Sequence, residues 1–379
     1  MNNPPKISVI LPCQNEEEAL AGCIKEIQKV FVQENIDGEI IVSDSSSDQS
    51  PEIAVSLGAK LIRHGQDGYG NACLEGLRAA EGDIIIIADA DGSYDFNFIP
   101  DFIKSFTDSC DLVIGNRFAG KMGKKVMPFF NHYLGNPFLS LVLRLFFRAK
   151  VKDAHCGMRA ISREAFNKLD LKTGGMEFAS EMIIKAVKKK MKIGEIPINY
   201  RSRQGRSKLR PLNDGWRHLR LMLLYSPTIL FLIPGAILFL LGIIMTWLLY
   251  FGALSIWGLK FYYHPMFASS LLIIIGYQLI FFSLFAKKYA QTHLGERSLF
   301  LEKFSRFFNL EKLVLAGVAM FLAGLIIYVI ILTKWIGSGF GNLAEIKNSI
   351  VALVLIVLGI QTITSSFMIG ILDIRNTRH

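Results

Sequence analysis

Four long segments in the second half of the chain contain no Asp, Glu, Lys or Arg, and these segments constrain the fold most. They are residues 228–252, 265–286, 313–333 and 349–372. A helix needs about 20 apolar residues to cross the hydrocarbon core of a bilayer. A core helix of a soluble protein rarely continues that far without a charge, because one side usually faces water. The sequence therefore predicts an α-helical membrane domain of four transmembrane helices over residues 228–379.

The charges that flank these segments predict their orientation. Residues 201–220 and 287–312 are rich in Lys and Arg, whereas the other two loops hold only Lys260, Lys334 and Lys347. Short cytoplasmic segments are enriched in Lys and Arg. We therefore expect an integral membrane protein of the plasma or inner membrane, whose amino-terminal domain and C-terminal tail face the cytoplasm.

The net charge of +10 fits a membrane protein better than a nucleic-acid-binding one. The basic residues lie next to the apolar segments, where they are attracted to anionic lipid headgroups, and they form no aromatic-studded basic face. We therefore expect a membrane and no nucleic acid among the partners. The five cysteines are odd in number and lack CxxC spacing, so neither disulfides nor a zinc site is predicted.

The first part of the chain alternates strand and helix patterns, which indicates an α/β fold with a mostly parallel sheet. The predicted strands are residues 7–11, 39–43, 60–63 and a run that starts at Ile84, and the helices between them are 16–33, 50–57 and 70–80. We divide the chain into this domain (1–210), a juxtamembrane interface helix (211–227) and the membrane domain. Ligands of such sheets bind at the carboxyl ends of the strands.

Polar residues follow three of these strands. Asp89 and Asp91 come after four isoleucines typical of a central strand, Asn15 follows the first strand, and Asp44 ends the second. Paired carboxylates hold divalent cations against phosphates, but Asp and Asn also cap helices and start turns. Because the strand ends share one edge, their convergence favours a binding site over three separate caps.

Three further features have two readings each. The turn at Asp67 and Gly68 runs into a helix, so its amides could meet a phosphate, or it could be only a tight turn. Arg117 and the basic run 203–208 suit a phosphate, although the run could also bind lipid headgroups. Glu177 and Glu181 share a helix face and either contact a sugar or are solvated.

These motifs resemble those of family 2 glycosyltransferases with the Rossmann-like GT-A fold, and most closely the polyprenyl-phosphate (dolichol-phosphate) mannosyl- and glucosyltransferases. The resemblance covers about residues 7–224, and its motifs occur in the family's order. They are residues 9–12 with 15–16, 44–48, 68–72, 89–91, 115–118, 153–159 and 203–209.

The resemblance implies the roles of individual residues. It places Asp89 and Asp91 on a Mg²⁺ or Mn²⁺ ion and Arg117 and Lys208 on the acceptor phosphate, which makes these four the expected catalytic residues. The residues expected to bind the nucleotide-sugar donor are Pro12, Asn15, Glu16, Asp44, Asp67, Gly68, Asp89, Arg203 and Ser207. Two positions depart from the family pattern: Ser43 precedes Asp44 where a second acid is common, and Ser93 stands where a Gln often contacts the metal. Asp95 is a candidate to replace that contact.

The acceptor side is less clearly marked. By resemblance, Asp153 and residues 156–159 lie near the sugar and acceptor, and residues 121–127 form an acceptor loop. Asp153 could also be an ordinary turn residue. Segments 138–147 and 216–225 suit the membrane interface, although a core helix is an alternative for the first. His155 and His218 lack partners at ligand spacing and are not assigned to a metal.

The expected reaction is inverting transfer of a hexose from a UDP- or GDP-sugar to a polyprenyl (undecaprenyl or dolichyl) phosphate at the cytoplasmic face. One alternative is a processive polysaccharide synthase, but the chain lacks the Gln-x-x-Arg-Trp motif of such enzymes. The other is a transporter or flippase with a regulatory soluble domain, although spans without charges make a poor polar pathway. The sugar, the base and the oligomeric state stay open.

Overall fold

The computed structural model describes residues 6–123, 126–129, 131–205, 210–252, 254–256, 259–293 and 309–373. The chain forms two compact units, Met1–Tyr225 and Ser226–His379. The boundary between them falls close to the predicted start of the membrane domain. The assignment of residues 211–227 to the membrane interface stays a prediction.

The first unit contains a seven-stranded sheet with the strand order β3-β2-β1-β4-β6-β5-β7. Neighbouring strands are parallel except for β6, which is antiparallel to both β4 and β5. This arrangement confirms the predicted α/β class with a mostly parallel sheet. The strands are β1 (Ile7–Cys13), β2 (Gly38–Asp44), β3 (Lys60–Arg63), β4 (Ile84–Ile87), β5 (Leu112–Asn116), β6 (Arg159–Ser162) and β7 (Ile193–Pro197).

The centre of the sheet is built from β-branched residues. All four isoleucines of β4 are buried, which is the pattern of a strand covered on both faces. Helices pack on the sheet through apolar residues at helical spacing, as Leu20, Ile24 and Ile27 do in α1. The helices of this unit are α1 (Glu17–Gln33), α2 (Ser50–Ser56), α3 (Tyr69–Ala79), α4 (Ile99–Thr107), α5 (Asn136–Phe147), α6 (Arg163–Leu169), α7 (Phe178–Lys188) and α8 (Pro211–Leu224).

Among the described residues of the second unit, four helices are long and apolar enough to cross a membrane, as predicted. A short π-helical turn, Thr228–Leu232, leads into the first of them. The four are α9 (Ile233–Phe251), α10 (His264–His293), α11 (Leu310–Gly337) and α12 (Ile346–Asp373). Two short strands, β8 (Leu254–Ile256) and β9 (Leu259–Phe261), form a hairpin between α9 and α10. Helix α9 packs on α10, α11 packs on α12, and α10 also contacts α12.

Candidate active site

The loops after β1 and β2 are joined by hydrogen bonds into one structure. Asp44 is fully buried, and its carboxylate accepts hydrogen bonds from the Ser46 amide (3.1 Å) and the Ser46 hydroxyl (2.5 Å). The same hydroxyl accepts a hydrogen bond from the Asn15 amide at 2.7 Å, and Asn15 Oδ1 accepts one from the Ser47 amide at 2.8 Å. Asn15 therefore links the two loops.

From the sequence, Asn15 and the Ser and Asp run 44–48 could each cap a helix or belong to a binding site, and the structure distinguishes these two roles. Asn15 has a left-handed backbone (φ 52°), which Asn tolerates better than most residues, and its side chain does not cap α1. Asp48 does have the capping role, because its carboxylate accepts hydrogen bonds from the amides of Ser50 (3.0 Å) and Glu17 (3.1 Å). The Ser and Asp run therefore combines a buried carboxylate at Asp44 with an ordinary capping turn at Asp48.

The carboxylate pair lies immediately after β4. Asp91 is 7% exposed, and its Oδ1 accepts hydrogen bonds from the Ser93 amide (3.0 Å) and the Ser93 hydroxyl (2.5 Å). Asp89 lies against Gly157, where a methyl group would be only 2.6 Å from Asp89 Oδ2. Burial, together with the negative charge of Asp91, raises the pKa of Asp89 to about 7. The two carboxylates therefore form an electrostatically unfavourable pair.

A divalent cation fits this pair, because a hard cation prefers carboxylate oxygens and would neutralise their repulsion. Within the described part of the chain, no group of three or more His, Cys, Asp or Glu side chains is arranged to hold a metal. Ser93 is hydrogen-bonded to Asp91, and the oxygens of Asp95 are engaged by Arg201 (2.8 Å) and Asn199 (3.3 Å). Asp95 is thus already committed to neighbouring side chains.

Arg203 connects the two halves of the strand-end crevice. Its Nη2 lies 3.1 Å from Glu16 Oε1, and its Nη1 lies 3.6 Å from Asp91 Oδ2. The backbone around it follows the carboxylate turn, since the Gln204 amide donates to the Asp91 carbonyl and the Arg201 amide donates to the Ser93 carbonyl. The predicted donor residues Glu16 and Arg203 and the predicted metal ligand Asp91 are therefore adjacent. Ser207 and Lys208 lie outside the described residues.

The glycines at the start of α3 make close backbone contacts. Gly68 has a φ of +121°, and a methyl group there would lie 2.4 Å from the Gly174 carbonyl oxygen. That carbonyl also accepts a hydrogen bond from the Asn71 amide at 3.1 Å. Glycine is therefore needed here for packing against the 173–175 backbone, and a phosphate contact at Gly68 stays a prediction. Asp67 lies near the β1 loop, with its Oδ1 3.4 Å from Gln14 Nε2. Pro12 pairs with Ser43 between β1 and β2.

Arg117 forms a buried bidentate ion pair with Asp153. Its Nε and Nη2 donate to the two Asp153 oxygens, both at 2.8 Å, and its amide donates to Oδ2 at 3.0 Å. Asp153 is fully buried and Arg117 is 6% exposed, so Asp153 is more than an ordinary turn residue. Asp153 raises the already high pKa of Arg117 against the opposing effect of burial. A contact between Arg117 and an acceptor phosphate stays a prediction, and it would have to compete with Asp153.

Comparison with known proteins identifies the family. Residues 8–170 match the profile of glycosyl transferase family 2, and residues 285–373 match the C-terminal transmembrane region of the same family. The low-salt glycan biosynthesis hexosyltransferase Agl6 of Haloferax volcanii is 36% identical over 367 residues, which cover 97% of this chain and 89% of that protein. The chain belongs to glycosyl transferase family 2.

Two further similarities are more limited. The dolichyl-phosphate hexose transferase of Haloferax volcanii is 30% identical over 211 residues, which cover 55% of this chain and 89% of that protein. Glucosyl-3-phosphoglycerate synthase of Mycobacterium tuberculosis, solved with Mn²⁺, UDP and glucosyl-3-phosphoglycerate, aligns with a TM-score of 0.47 and 22% identity over 59% of this chain and 80% of that chain. The second similarity is too distant to bear on the site.

Membership of glycosyl transferase family 2 confirms the predicted GT-A fold class of the first unit. The match to the family's transmembrane region, together with the four apolar helices, also identifies this family 2 glycosyltransferase as an integral membrane protein. The roles of individual residues that the resemblance implies stay predictions.

The structure reveals residues of this family 2 glycosyltransferase that the sequence did not indicate. Arg63, the last residue of β3, lies 3.8 Å from Asp44 and donates to the Ser46 carbonyl at 3.1 Å. Tyr94 is buried, and its hydroxyl accepts a hydrogen bond from the Gly157 amide at 2.7 Å. Arg63 could have been found from its position at a strand end, as Asn15 and Asp44 were. Tyr94 gave no signal, because its partner is distant in sequence.

Glu177 and Glu181 differ although they share a helix. Glu181 is 1% exposed and accepts hydrogen bonds from the amides of Lys172 (3.0 Å) and Thr173 (2.9 Å), and Lys185 lies 2.7 Å away. Glu181 therefore stabilises the loop that packs against Gly68, and its side chain is not solvated. The carboxylate of Glu177 lies beside Gly175, where a methyl group would be 2.4 Å from Oε2.

His155 and His218 lie together in the interior. Their ring centroids are 4.4 Å apart, and the Ser180 hydroxyl lies 3.2 Å from His155 Nε2 and 2.8 Å from His218 Nδ1. Burial lowers the pKa of His218 to about 4, and it also holds the pKa of His155 well below its usual range. Both are therefore neutral at physiological pH, and their contacts are with Ser180 and each other.

Proposed function

We propose that this enzyme transfers a hexose from a UDP- or GDP-sugar to a polyprenyl phosphate at the cytoplasmic face of the membrane. The observation that carries the proposal is the strand-end crevice in which Glu16, Arg203 and Asp91 are adjacent, in a chain with four membrane-spanning helices. The full-length similarity to a hexosyltransferase supports the transfer of a hexose, and the shorter similarity to a dolichyl-phosphate hexose transferase supports a lipid phosphate as the acceptor.

The donor's base and ribose would bind at the joined β1 and β2 loops. Buried Asp44 is held by Ser46 and faces Arg63, and Asn15 fixes the spacing of the two loops. A carboxylate accepts hydrogen bonds from base N–H groups, and backbone amides at such loops are further donors and acceptors. Pro12 and Glu16 complete this side of the pocket in the proposal.

The donor's diphosphate would lie between this pocket and the carboxylate pair. Asp89 and Asp91 would hold Mg²⁺ or Mn²⁺, which when bound stabilises the negative charge of the leaving diphosphate. Arg203 supplies a guanidinium at the same place, and its bonds to Glu16 and Asp91 orient it. Asp67 and Gly68 border the crevice through Gln14 and the start of α3.

The acceptor needs alignment more than activation. A lipid phosphate oxygen is already anionic at neutral pH, so its attack on the anomeric carbon requires no strong general base. The nucleoside diphosphate leaves as the new bond forms, with inversion of the anomeric carbon. In this proposal Lys208 and Ser207 contact the acceptor and donor phosphates, and Arg117, held by Asp153, positions the loop beside Asp89 and the sugar.

The test is a transfer assay with the purified full-length protein in detergent. It would combine polyprenyl phosphate with a panel of UDP- and GDP-sugars, in Mg²⁺ or Mn²⁺ and in EDTA, and analyse the lipid product by mass spectrometry. We expect one sugar per lipid, with loss of product in EDTA. A polymer of sugars would instead indicate a processive synthase, and donor consumption without any glycosylated lipid would overturn the proposed acceptor.

The proposed orientation has an independent test. Single cysteines introduced at Lys188 in the first unit and at Lys334 near the end of α11 would be labelled with an impermeant maleimide in intact cells, in a background without native cysteines. We expect labelling only at position 334, since the first unit would lie inside. Labelling at position 188 and not at 334 would reverse the topology.

A further inference from the structure

The two helical hairpins of the membrane unit pack in the same way at equivalent positions. In α9 and α10, a methyl group on Gly235 would lie 2.9 Å from the Gly276 carbonyl oxygen, and one on Gly242 would lie 2.7 Å from the Ser269 carbonyl oxygen. In α11 and α12, the corresponding distances are 2.9 Å from Gly317 to Gly359 and 2.8 Å from Gly324 to Ala352. Both hairpins therefore have the same seam, which consists of two glycines of the first helix at which the backbones of the two helices come into close contact.

The agreement extends to the reverse contacts. A methyl group on Gly276 would meet the Gly235 oxygen at 2.7 Å, and one on Gly359 would meet the Gly317 oxygen at 2.7 Å. The partners in the second helix also correspond: Gly242 faces Ile273, and Gly324 faces Ile356. These pairs fix a single alignment of the two hairpins. Its offset is 82 positions between the first helices and 83 between the second helices.

Under that alignment the sequences themselves correspond. Residues 235–245 read GAILFLLGIIM and 317–327 read GVAMFLAGLII, and residues 273–283 read IIIGYQLIFFS and 356–366 read IVLGIQTITSS. Each pair is identical at five of eleven positions. Close backbone packing would select the glycines, because any larger residue would separate the helices. It would not select the shared Leu240 and Leu322, which are 57% and 47% exposed.

The most informative shared residue is a glutamine. Gln278 and Gln361 occupy equivalent positions and contact each other, with Gln361 Nε2 donating to Gln278 Oε1 at 2.9 Å. Next to them, the hydroxyls of Tyr277 and Thr362 lie 2.7 Å apart. A glutamine in the middle of a span is costly unless it finds a polar partner. Here the partner is the same residue of the other hairpin.

We propose that the membrane unit is a tandem duplication of one helical hairpin, and that the two copies associate through their second helices at the equivalent glutamines. The interaction surface of each hairpin is thus made for a second copy of itself. The inference does not depend on the proposed reaction. It also implies that α9 and α10 are the same kind of element as the region matched by the family's transmembrane profile, which begins only at residue 285.

The test is a segment transplant in the full-length chain. One variant replaces residues 235–245 with the sequence of 317–327, which keeps both seam glycines and changes six side chains. The matched control uses the sequence of 318–328, which is equally apolar but shifted by one position, and thereby introduces Gly235→Val and Gly242→Leu. The thermal midpoint and the size-exclusion profile in detergent would be measured for both variants.

We expect the in-register variant to stay monodisperse with a midpoint within about 5 °C of the parent, since all six changes are apolar and the two that remove most volume, Ile237→Ala and Leu241→Ala, lie at exposed positions. The shifted control should aggregate or lose at least about 10 °C, because two bulky side chains would enter the helix seam. If the in-register transplant is damaged as much as the shifted one, or if both are tolerated equally, the duplication proposal fails.

Discussion

The two units bury polar groups in different ways. In the unit Met1–Tyr225, buried charges are held in specific hydrogen-bonded sets, such as Arg117 with Asp153 and Glu181 with Thr173 and Lys185. In the unit Ser226–His379, the described helix interiors bury glycines and a few neutral side chains, such as Ser269 and Thr362, while Gln278 and Gln361 pair with each other at partly buried positions. Charges at strand ends can be paired with other charges or hydrated, whereas a bilayer penalises every unpaired polar group.

This difference predicts how each unit responds to substitution. Replacing a single polar residue of the catalytic unit should strongly reduce activity or stability. Each of these residues hydrogen-bonds to several partners in a loop that lacks regular secondary structure. The spans should tolerate apolar exchange but not added volume at the glycines. The following four predictions probe that contrast, in order of decreasing effect.

Asp91→Asn should reduce sugar transfer on the order of 10³-fold, because the lost charge would weaken metal binding at the leaving diphosphate. Folding should be little affected, since Asn can still accept the hydrogen bonds from Ser93. The initial transfer rate and the thermal midpoint would be measured side by side. Asp101→Asn, which changes an exposed carboxylate on α4, is the control. Full metal-dependent transfer by Asp91→Asn would remove this residue from the proposed site.

Asp153→Asn should destabilise the catalytic unit by about 3–5 kcal/mol, because it leaves the Arg117 guanidinium buried without its counter-charge. The double variant Arg117→Met with Asp153→Leu removes both charges. Its loss of unfolding free energy should therefore be smaller than the sum of the losses measured for Arg117→Met and Asp153→Leu separately. Thermal unfolding of the detergent-solubilised chain measures the effect. Strict additivity would show that the pair is not coupled.

Glu181→Gln should cost about 1–3 kcal/mol at neutral pH, because it weakens the bonds to the 172–173 loop. Burial alone would raise the pKa of Glu181, but the bonds from Lys185 and Thr173 outweigh it and lower the pKa below 4.5. A lowered pKa means that the ionised form stabilises the fold above about pH 4.5 and that this contribution is lost as pH falls through the lowered pKa. The difference between parent and variant in unfolding free energy should therefore shrink only below that pH. A difference that is constant down to strongly acid pH would contradict this.

Gln278→Leu and Gln361→Leu should each destabilise the membrane unit by about 0.6–2 kcal/mol, since each leaves the other amide without its partner. The double variant should cost less than the two single changes together, because both polar groups are then removed from the bilayer. Midpoints measured in one detergent would give the coupling. Ile275→Leu, at a more exposed position of α10, is the matched control and should be neutral.

The four spans were predictable from the sequence alone, because length and the absence of charge are local properties that a bilayer imposes on any helix that crosses it. The sequence also predicted the strand ends at Asn15, Asp44 and Asp89, because parallel strands deliver their carboxyl ends to one edge whatever the connecting loops do. These features need no knowledge of which residues meet across long sequence distances.

The tertiary structure alone decided what each polar residue contacts. It showed that Arg117 pairs with Asp153 and that Arg203 lies between Glu16 and Asp91. It also showed that Gly68 packs against Gly174 and that Glu181 is buried and hydrogen-bonded to a loop. It also revealed the alignment of the two membrane hairpins, which became visible once the glycine contacts fixed the register. The reason is that hydrogen bonds and close packing depend on atoms that the whole fold brings together. Hydrophobicity and the order of strands along the chain, in contrast, can be predicted from local sequence.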